Sequence, residues 1–404
     1  MRRFRLTHRG IGFVVAGVAC FLAAAVMSVP ALLYATGLLL GTVIVAVLFV
    51  SLGPGRVAVE RAFSPQVVDP GHGVRARMTV TNQSSFPCPE ATWADQLPRV
   101  VAGRASGVLP SLGPAGEADS RIAATYALTS STRGHHEVGP LRLEVGDPFG
   151  LVRRQRLFGE RHRLTVLPHR FALPALRSVG LGDSGSTRPA PQHAGVGEED
   201  VIARPYLPGD AMKRLHWKAT AHRGELMVRQ EEHHVSPRAT VLLDLDALTH
   251  GTARHRGEWE YSATLEWSVS AAASVVTHLA GMGYVVNVVS HDHAVDAVVA
   301  DGADTLRDAL IALAGCEASE RAAAPVPAER YVVVATGRLL DDRAADWIAA
   351  MPPDTQVHAL VAVATHDRVL DRLAAAGWRV ATYGPRSDIP DVWAGLDENA
   401  HAAS

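Results

Sequence analysis

From Gly10 to Gly55 the chain contains no Asp, Glu, Lys, Arg or His. A charge-free run of about 46 residues would extend roughly 69 Å as one helix, against a hydrocarbon core of about 30 Å, so it is expected to cross a bilayer twice. Lysine is nearly absent too: Lys213 and Lys218 are the only ones, and nearly all other cations are Arg, which reads as genome composition and not as function. Cys20, Cys88 and Cys316 lie far apart with no Cys-x-x-Cys, so neither a disulfide framework nor a zinc site is visible. A formal net charge of -2 gives no overall pull toward nucleic acid or anionic lipid. The Gly-x-Ser-x-Gly elbow, the phosphate loop and His-Glu-x-x-His are missing. Gly281-Met282-Gly283 ends a helical pattern and follows no strand, so it is not a dinucleotide fingerprint.

What is present begins with that apolar run. Pro30 places a turn near its middle, giving helices near 11–29 and 31–52 within a membrane segment of residues 11–53. A basic N-terminus, residues 1–10, carries Arg2, Arg3, Arg5 and Arg9, and Arg56 and Arg61 follow the second helix. The positive-inside rule then puts both ends, and with them the soluble domains, in the cytoplasm of a two-helix protein of the cell membrane. A cleaved signal peptide over residues 1–30 is the rival reading, but the second apolar run would still span. Gly17-Val18-Ala19-Cys20 faintly matches a lipoprotein box, yet Cys20 is followed by more apolar residues.

Residues 56–170 alternate with a period of two, as in Val74-Arg75-Ala76-Arg77-Met78-Thr79-Val80 and Leu141-Arg142-Leu143-Glu144-Val145, with Gly, Pro, Asn and Ser between. This predicts a small β-sandwich. Residues 171–237 form a connector, rich in Gly, Ser and Pro over 175–196, followed by a dense motif. Residues 238–390 alternate strands (239–246, 284–290, 330–335, 356–363, 378–383) with helices (258–281, 303–314, 341–350, 366–376), which predicts a doubly wound α/β domain. Residues 391–404 read as a tail.

The motif packs cations and aromatics between turn formers. Pro208-Gly209 marks a turn, Asp210 a helix cap, and Gly224 a left-handed stop before Leu226 and Val228. Gly197, Glu199, Arg204, Tyr206, Gly209, Asp210, Arg214, Trp217, Thr220, Ala221, Gly224, Leu226 and Val228 follow an order that resembles the bacterial proteins of domain-of-unknown-function family 58. Arg133-Gly134 and Asp147-Pro148-Phe149-Gly150-Leu151 match the same family's habit. Asp200 stands where an aromatic is usual, and His222 where Arg is usual. Two readings of Arg204, Tyr206, Gly209, Asp210, Arg214, Trp217, Thr220 and Arg223 stay open: a partner-docking surface, or an inter-domain joint with Tyr206 and Trp217 packed as core and the cations paired to Glu198, Glu199, Asp200 and Asp210.

The α/β domain resembles the von Willebrand factor A fold, whose divalent cation is held by an Asp-x-Ser-x-Ser run and a later Asp. Here Asp244 and Asp246 are degenerate candidates, Leu248 offers no oxygen, and Thr336 stands where the later Asp is usual, so no metal is expected. His233 and His234 are adjacent strand residues that point to opposite faces and do not easily share one ion, and His291-Asp292-His293 falls in the turn after a strand, where polar residues are ordinary. No cofactor and no nucleic-acid partner is expected. The residues favour a non-enzymatic membrane scaffold or adaptor. The family resemblance implies a MoxR-type AAA+ ATPase as partner, in assembly or maturation of envelope complexes. The alternative is a membrane-bound hydrolase or transferase using Asp210, His216 and Asp244.

Overall fold

A computed structural model describes residues 3–52, 55–176, 202–206, 212, 215, 217–230, 236–300, 302–320 and 329–398. The chain opens with a strand, β1 (Arg3–Leu6), where the sequence suggested only a basic terminal segment. Two apolar helices follow, α1 (His8–Met27) and α2 (Ala31–Leu52), both long and apolar enough to cross a membrane. Thr7 caps α1, its hydroxyl oxygen accepting the Gly10 N–H at 3.2 Å. Gly17 lets the helices approach closely: a Cβ there would stand 2.9 Å from the Leu40 side chain.

The next region is built from β2 (Val57–Ser64), β3 (Val67–Val68), β4 (Gly73–Asn82), β5 (Ala91–Asp95), β6 (Ala102–Gly103), β7 (Ser106–Leu109), β8 (Arg121–Thr129), β9 (Gly134–Val138), β10 (Leu141–Gly146), β11 (Val152–Phe158) and β12 (His162–Val166). They form three sheets, ordered β2-β4-β8-β6, β1-β11-β10-β5-β7 and β3-β12-β9. Along β4 the residues Val74, Ala76, Met78 and Val80 are buried while Arg75 and Arg77 are exposed, the alternation of a sheet with one wet face. Trp93, Leu143 and Leu164 from the other sheets join the same core. At its edge Arg61 grips Asp95 through two bonds of 2.7 Å, and the Tyr126 hydroxyl donates to the same carboxylate. Arg61, counted from the sequence as a flank charge after α2, is therefore an internal residue paired in the β-region.

Three short elements, β13 (Ile202–Pro205), α3 (Trp217–Arg223) and β14 (Met227–Gln230), lead into the α/β domain. That domain runs β15 (Arg238–Leu243), β16 (Arg254–His255), β17 (Glu258–Trp259), α4 (Ala263–Gly281), β18 (Val285–Ser290), β19 (Asp296–Val299), α5 (Ala303–Ala314), β20 (Tyr331–Ala335), α6 (Asp341–Ala350), β21 (Gln356–Ala362), α7 (Asp367–Ala375), β22 (Arg379–Tyr383) and α8 (Ile389–Glu398). Its sheet has the order β19-β18-β15-β20-β21-β22, parallel except at β19. On β15, Val241 and Leu243 face a core shared with α4, α5 and α8, whereas Leu242 faces one shared with α6 and α7. Both faces are covered, which is why every residue from Ala239 to Leu243 is buried and all but Thr240 are apolar.

Two expectations are corrected, and one strand is added. Helix α4 starts at Ala263 and not at residue 258, because Glu258-Trp259 pair with Arg254-His255 and the Ser262 hydroxyl caps the helix by accepting the Leu265 N–H. The antiparallel edge strand β19 had not been anticipated. The supposed tail from 391 is largely helix α8, whose Trp393 and Leu396 are fully buried. The Trp393 indole N–H also donates to the Pro174 carbonyl, tying the connector to the domain at 3.0 Å.

Arg133 joins the β-region to the α/β domain. Its guanidinium takes both oxygens of Glu266 on α4 (2.9 and 3.0 Å) and donates to the carbonyls of Leu313, Ala314 and Cys316 at the end of α5. A cation at a helix C-terminus meets carbonyls that have no intrahelical donor. This contact accounts physically for Arg133, and Gly134 beside it takes φ +135°, in the region that favours glycine.

Candidate functional site

Two places gather residues singled out from the sequence: the motif hairpin and the crevice where the α/β sheet changes direction. In the hairpin, β13 and β14 pair antiparallel, and the Tyr206 N–H continues the ladder to the Leu226 carbonyl at 2.8 Å. The Thr220 hydroxyl oxygen accepts the Met227 N–H at 3.0 Å, and the Gly224 N–H closes α3 onto the Thr220 carbonyl at 2.9 Å. Gly224 sits at φ +74°, the left-handed region that favours glycine. Among the described residues of this unit, Leu215, Met227 and Val228 are buried.

Trp217 is not among them. It is 69% exposed, with Met212 at 68% and Leu226 also on the surface. The reading of Trp217 as core between two domains is thus overturned: α3 turns its first residue outward, and the burial is supplied by the neighbouring Leu215 and by β14. Tyr206 is half-buried and Arg223 exposed. Arg204 lies on β13 by its backbone; Gly209, Asp210, Arg214 and His216 lie outside the described residues, as do His233 and His234.

The crevice lies at the C-terminal ends of β15 and β20, the point where strand order reverses and where open α/β sheets commonly place ligands. Here it is filled from within. Asp244 is fully buried; its Oδ2 accepts the Thr336 hydroxyl at 2.7 Å and its Oδ1 accepts the Asp246 N–H at 3.0 Å. Asp246 accepts the Leu248 N–H at 2.9 Å through Oδ1 and the Arg343 guanidinium at 2.6 Å through Oδ2. Arg343, on the first turn of α6, also comes within 3.8 Å of Asp244. One guanidinium therefore balances two carboxylates in a site of low dielectric.

Two histidines complete the packing. His291 Nδ1 accepts the Leu245 N–H at 2.8 Å, so its 3.5 Å approach to Asp244 is not a hydrogen bond. His250 Nε2 donates to the Asp244 carbonyl at 2.8 Å, and burial holds this imidazole below its ordinary range, with the Asp244 charge opposing. His250 is accordingly neutral at pH 7. The sequence pointed to Asp244, Asp246 and Thr336 but gave no sign of His250 or Arg343, and His291, expected as an ordinary polar turn position, is instead fully buried. An Arg some hundred residues downstream of its carboxylates leaves no local signal. Leu248 points outward, and among the described residues no three His, Cys, Asp or Glu side chains come together as a metal-binding set.

The family model for "Protein of unknown function DUF58" matches residues 202–388, so this segment is similar to that family. The uncharacterized protein YeaD of Bacillus subtilis is 32% identical over 123 residues, 30% of each chain, so the present chain spans about a third of that relative. Solved structures with local likeness include the CARDB domain of PF1109 from Pyrococcus furiosus, 14% identical, covering 28% of this chain and 90% of that one at a TM-score of 0.19. A non-cellulosomal cohesin from Archaeoglobus fulgidus is 7% identical, covering 28% and 92% at a TM-score of 0.18. Likeness at these scores carries no argument about this chain.

Proposed function

We propose that the protein is a membrane-anchored, non-enzymatic adaptor whose α/β domain is von Willebrand factor A-like. In this reading the motif hairpin is its docking surface for a MoxR-type AAA+ ATPase in the cytoplasm. The observation that carries the proposal is the exposure of Trp217. A large aromatic held on the surface, in a segment that also exposes Met212 and Leu226, suits an interface anchor, since such side chains supply most of the binding energy in protein contacts. The von Willebrand factor A-like reading is supported by the two aspartates at the end of the central strand. The non-enzymatic reading is supported by the crevice, where every carboxylate oxygen of Asp244 and Asp246 is engaged within the fold.

Co-purification of the full chain from detergent-solubilised membranes tests this. An AAA+ ATPase is expected in the eluate and is lost from Trp217→Ala, while that variant keeps its thermal midpoint within the range of an exposed substitution, about 0.5 kcal/mol. Consistent absence of an AAA+ protein from the wild-type eluate contradicts the partner assignment.

A further inference from the structure

Where β1 hands over to α1, the surface holds a cavity of about 440 Å³ lined by Arg5, His8, Ile11, Glu144, Arg153 and Gln155, among others. Its floor contains an unusual pair. Arg5 and Arg153 are directly opposite each other in the antiparallel ladder of β1 and β11, so their side chains project from the same face. Like charges directly opposite destabilise a sheet unless something of opposite charge lies between them. Glu144, on the next strand, reaches Arg153 at 3.2 Å and offsets one of the two cations. Arg5 has no carboxylate partner among the described residues, and His8 adds a third nitrogen-bearing side chain.

The arrangement is held rigidly from behind. Arg154, facing the other way on β11, donates to the carbonyls of Val50 and Ser51 at the end of α2 and lies 4.8 Å from the Phe4 ring centroid. The Thr7 hydroxyl donates to the Gly150 carbonyl at 2.6 Å, and its N–H to the Leu151 carbonyl at 2.9 Å. The turn Asp147–Leu151 thus serves as the socket for the start of α1, and it fixes Arg5 over Arg153. Gly10 is required there, because a Cβ would collide with the Leu151 carbonyl oxygen.

We infer that this cavity binds a phosphate-bearing anion, and that its source is an anionic lipid headgroup. The cationic pair reads the phosphate, with planar guanidinium groups suited to its oxygens. The lipid source follows from what lies beyond the mouth. Ile11, Val15, Val18 and Leu22 are exposed and recur along one stripe of α1, so an acyl chain can run down the helix from a headgroup held at its start. The choice of lipid over free phosphate rests on α1 spanning a membrane; the anion site itself does not.

The full chain in non-ionic detergent micelles, examined by native mass spectrometry, tests both parts. Phosphatidylglycerol is expected to be retained at least tenfold more tightly than phosphatidylcholine. Arg5→Gln with Arg153→Gln reduces that preference to parity. Arg121→Gln with Arg161→Gln removes the same charge from exposed sites elsewhere on the β-region and leaves it intact. Phosphatidylglycerol that stays bound in millimolar inorganic phosphate identifies the headgroup as ligand. Displacement by phosphate, together with a phosphate-induced rise in thermal midpoint that the Arg5/Arg153 variant lacks, identifies a free anion instead. Equal retention of the two lipids without any phosphate effect overturns the inference, as does a preference that survives in the Arg5/Arg153 variant.

Discussion

At Asp244 a buried carboxylate meets a hydroxyl, a peptide N–H and the edge of a guanidinium, and its charge is balanced from α6 by Arg343. Removing that cation leaves two carboxylates facing each other without a counter-charge. Arg343→Ala is therefore expected to destabilise the fold by about 3–5 kcal/mol, read as a lowered thermal midpoint. The same balance predicts that millimolar magnesium leaves the wild-type midpoint unchanged. A ligand of the native state at a hundred times its dissociation constant would add about 2.7 kcal/mol. A rise of several degrees that vanishes in Asp244→Ala would show that the crevice takes a cation after all. A second residue sets the acid response. Burial pushes the His358 imidazole down to about 4, the Arg379 charge adding to the shift and Asp397 opposing it. The unfolded chain takes up this proton near pH 6.5 and the folded chain does not, so stability falls as pH drops from about 6.5 and levels off near 4, a loss on the order of 3 kcal/mol. His358→Phe should lose less stability than wild type between pH 7.5 and 4.5. An equal loss in both would remove His358 as the cause.

Among the elements, the contact between Arg133 and the end of α5 is the one that joins two regions. Arg133→Ala takes the guanidinium from Glu266 and from the Ala314 and Cys316 carbonyls, while the Leu313 carbonyl keeps the Cys316 N–H at 3.3 Å. It is expected to cost on the order of 3 kcal/mol and to speed amide exchange in the segment around Cys316 relative to the rest of the sheet. Unchanged exchange there would mean that the joint is held by apolar packing alone. How far such elements could be read beforehand depended on how local their causes are. Helices α5 and α6 match the sequence pattern, since their apolar spacing lies within a few turns. Strand β1 was hidden because Arg3-Phe4-Arg5-Leu6 looks like the flank of a membrane helix, and only the distant β11 makes it a strand. The start of α4 was misplaced because Glu258 and Trp259 are acceptable in a helix until pairing with Arg254 and His255 claims them. Helix α8 has a local start signal, Pro390 in its first turn, and its packing against the sheet is what makes a helix of the expected tail. In the crevice, the carboxylates were visible at the end of an apolar strand, whereas the cation that neutralises them was not.

For the molecule as a whole, one apolar hairpin, a layered β-region and an α/β domain are linked by cations that cap helix ends, Arg154 at α2 and Arg133 at α5. In the proposed topology both ends of the hairpin face the cytoplasm, where an ATPase can reach the exposed Trp217. The most direct measurement places a photo-crosslinking amino acid at position 217 of the full chain in living cells, with Val108, exposed on the β-region, as the control position. The account predicts a product containing an AAA+ ATPase from position 217 and none from position 108. Crosslinks from position 217 that reach only lipid, only another part of this chain, or an extracytoplasmic protein would contradict it.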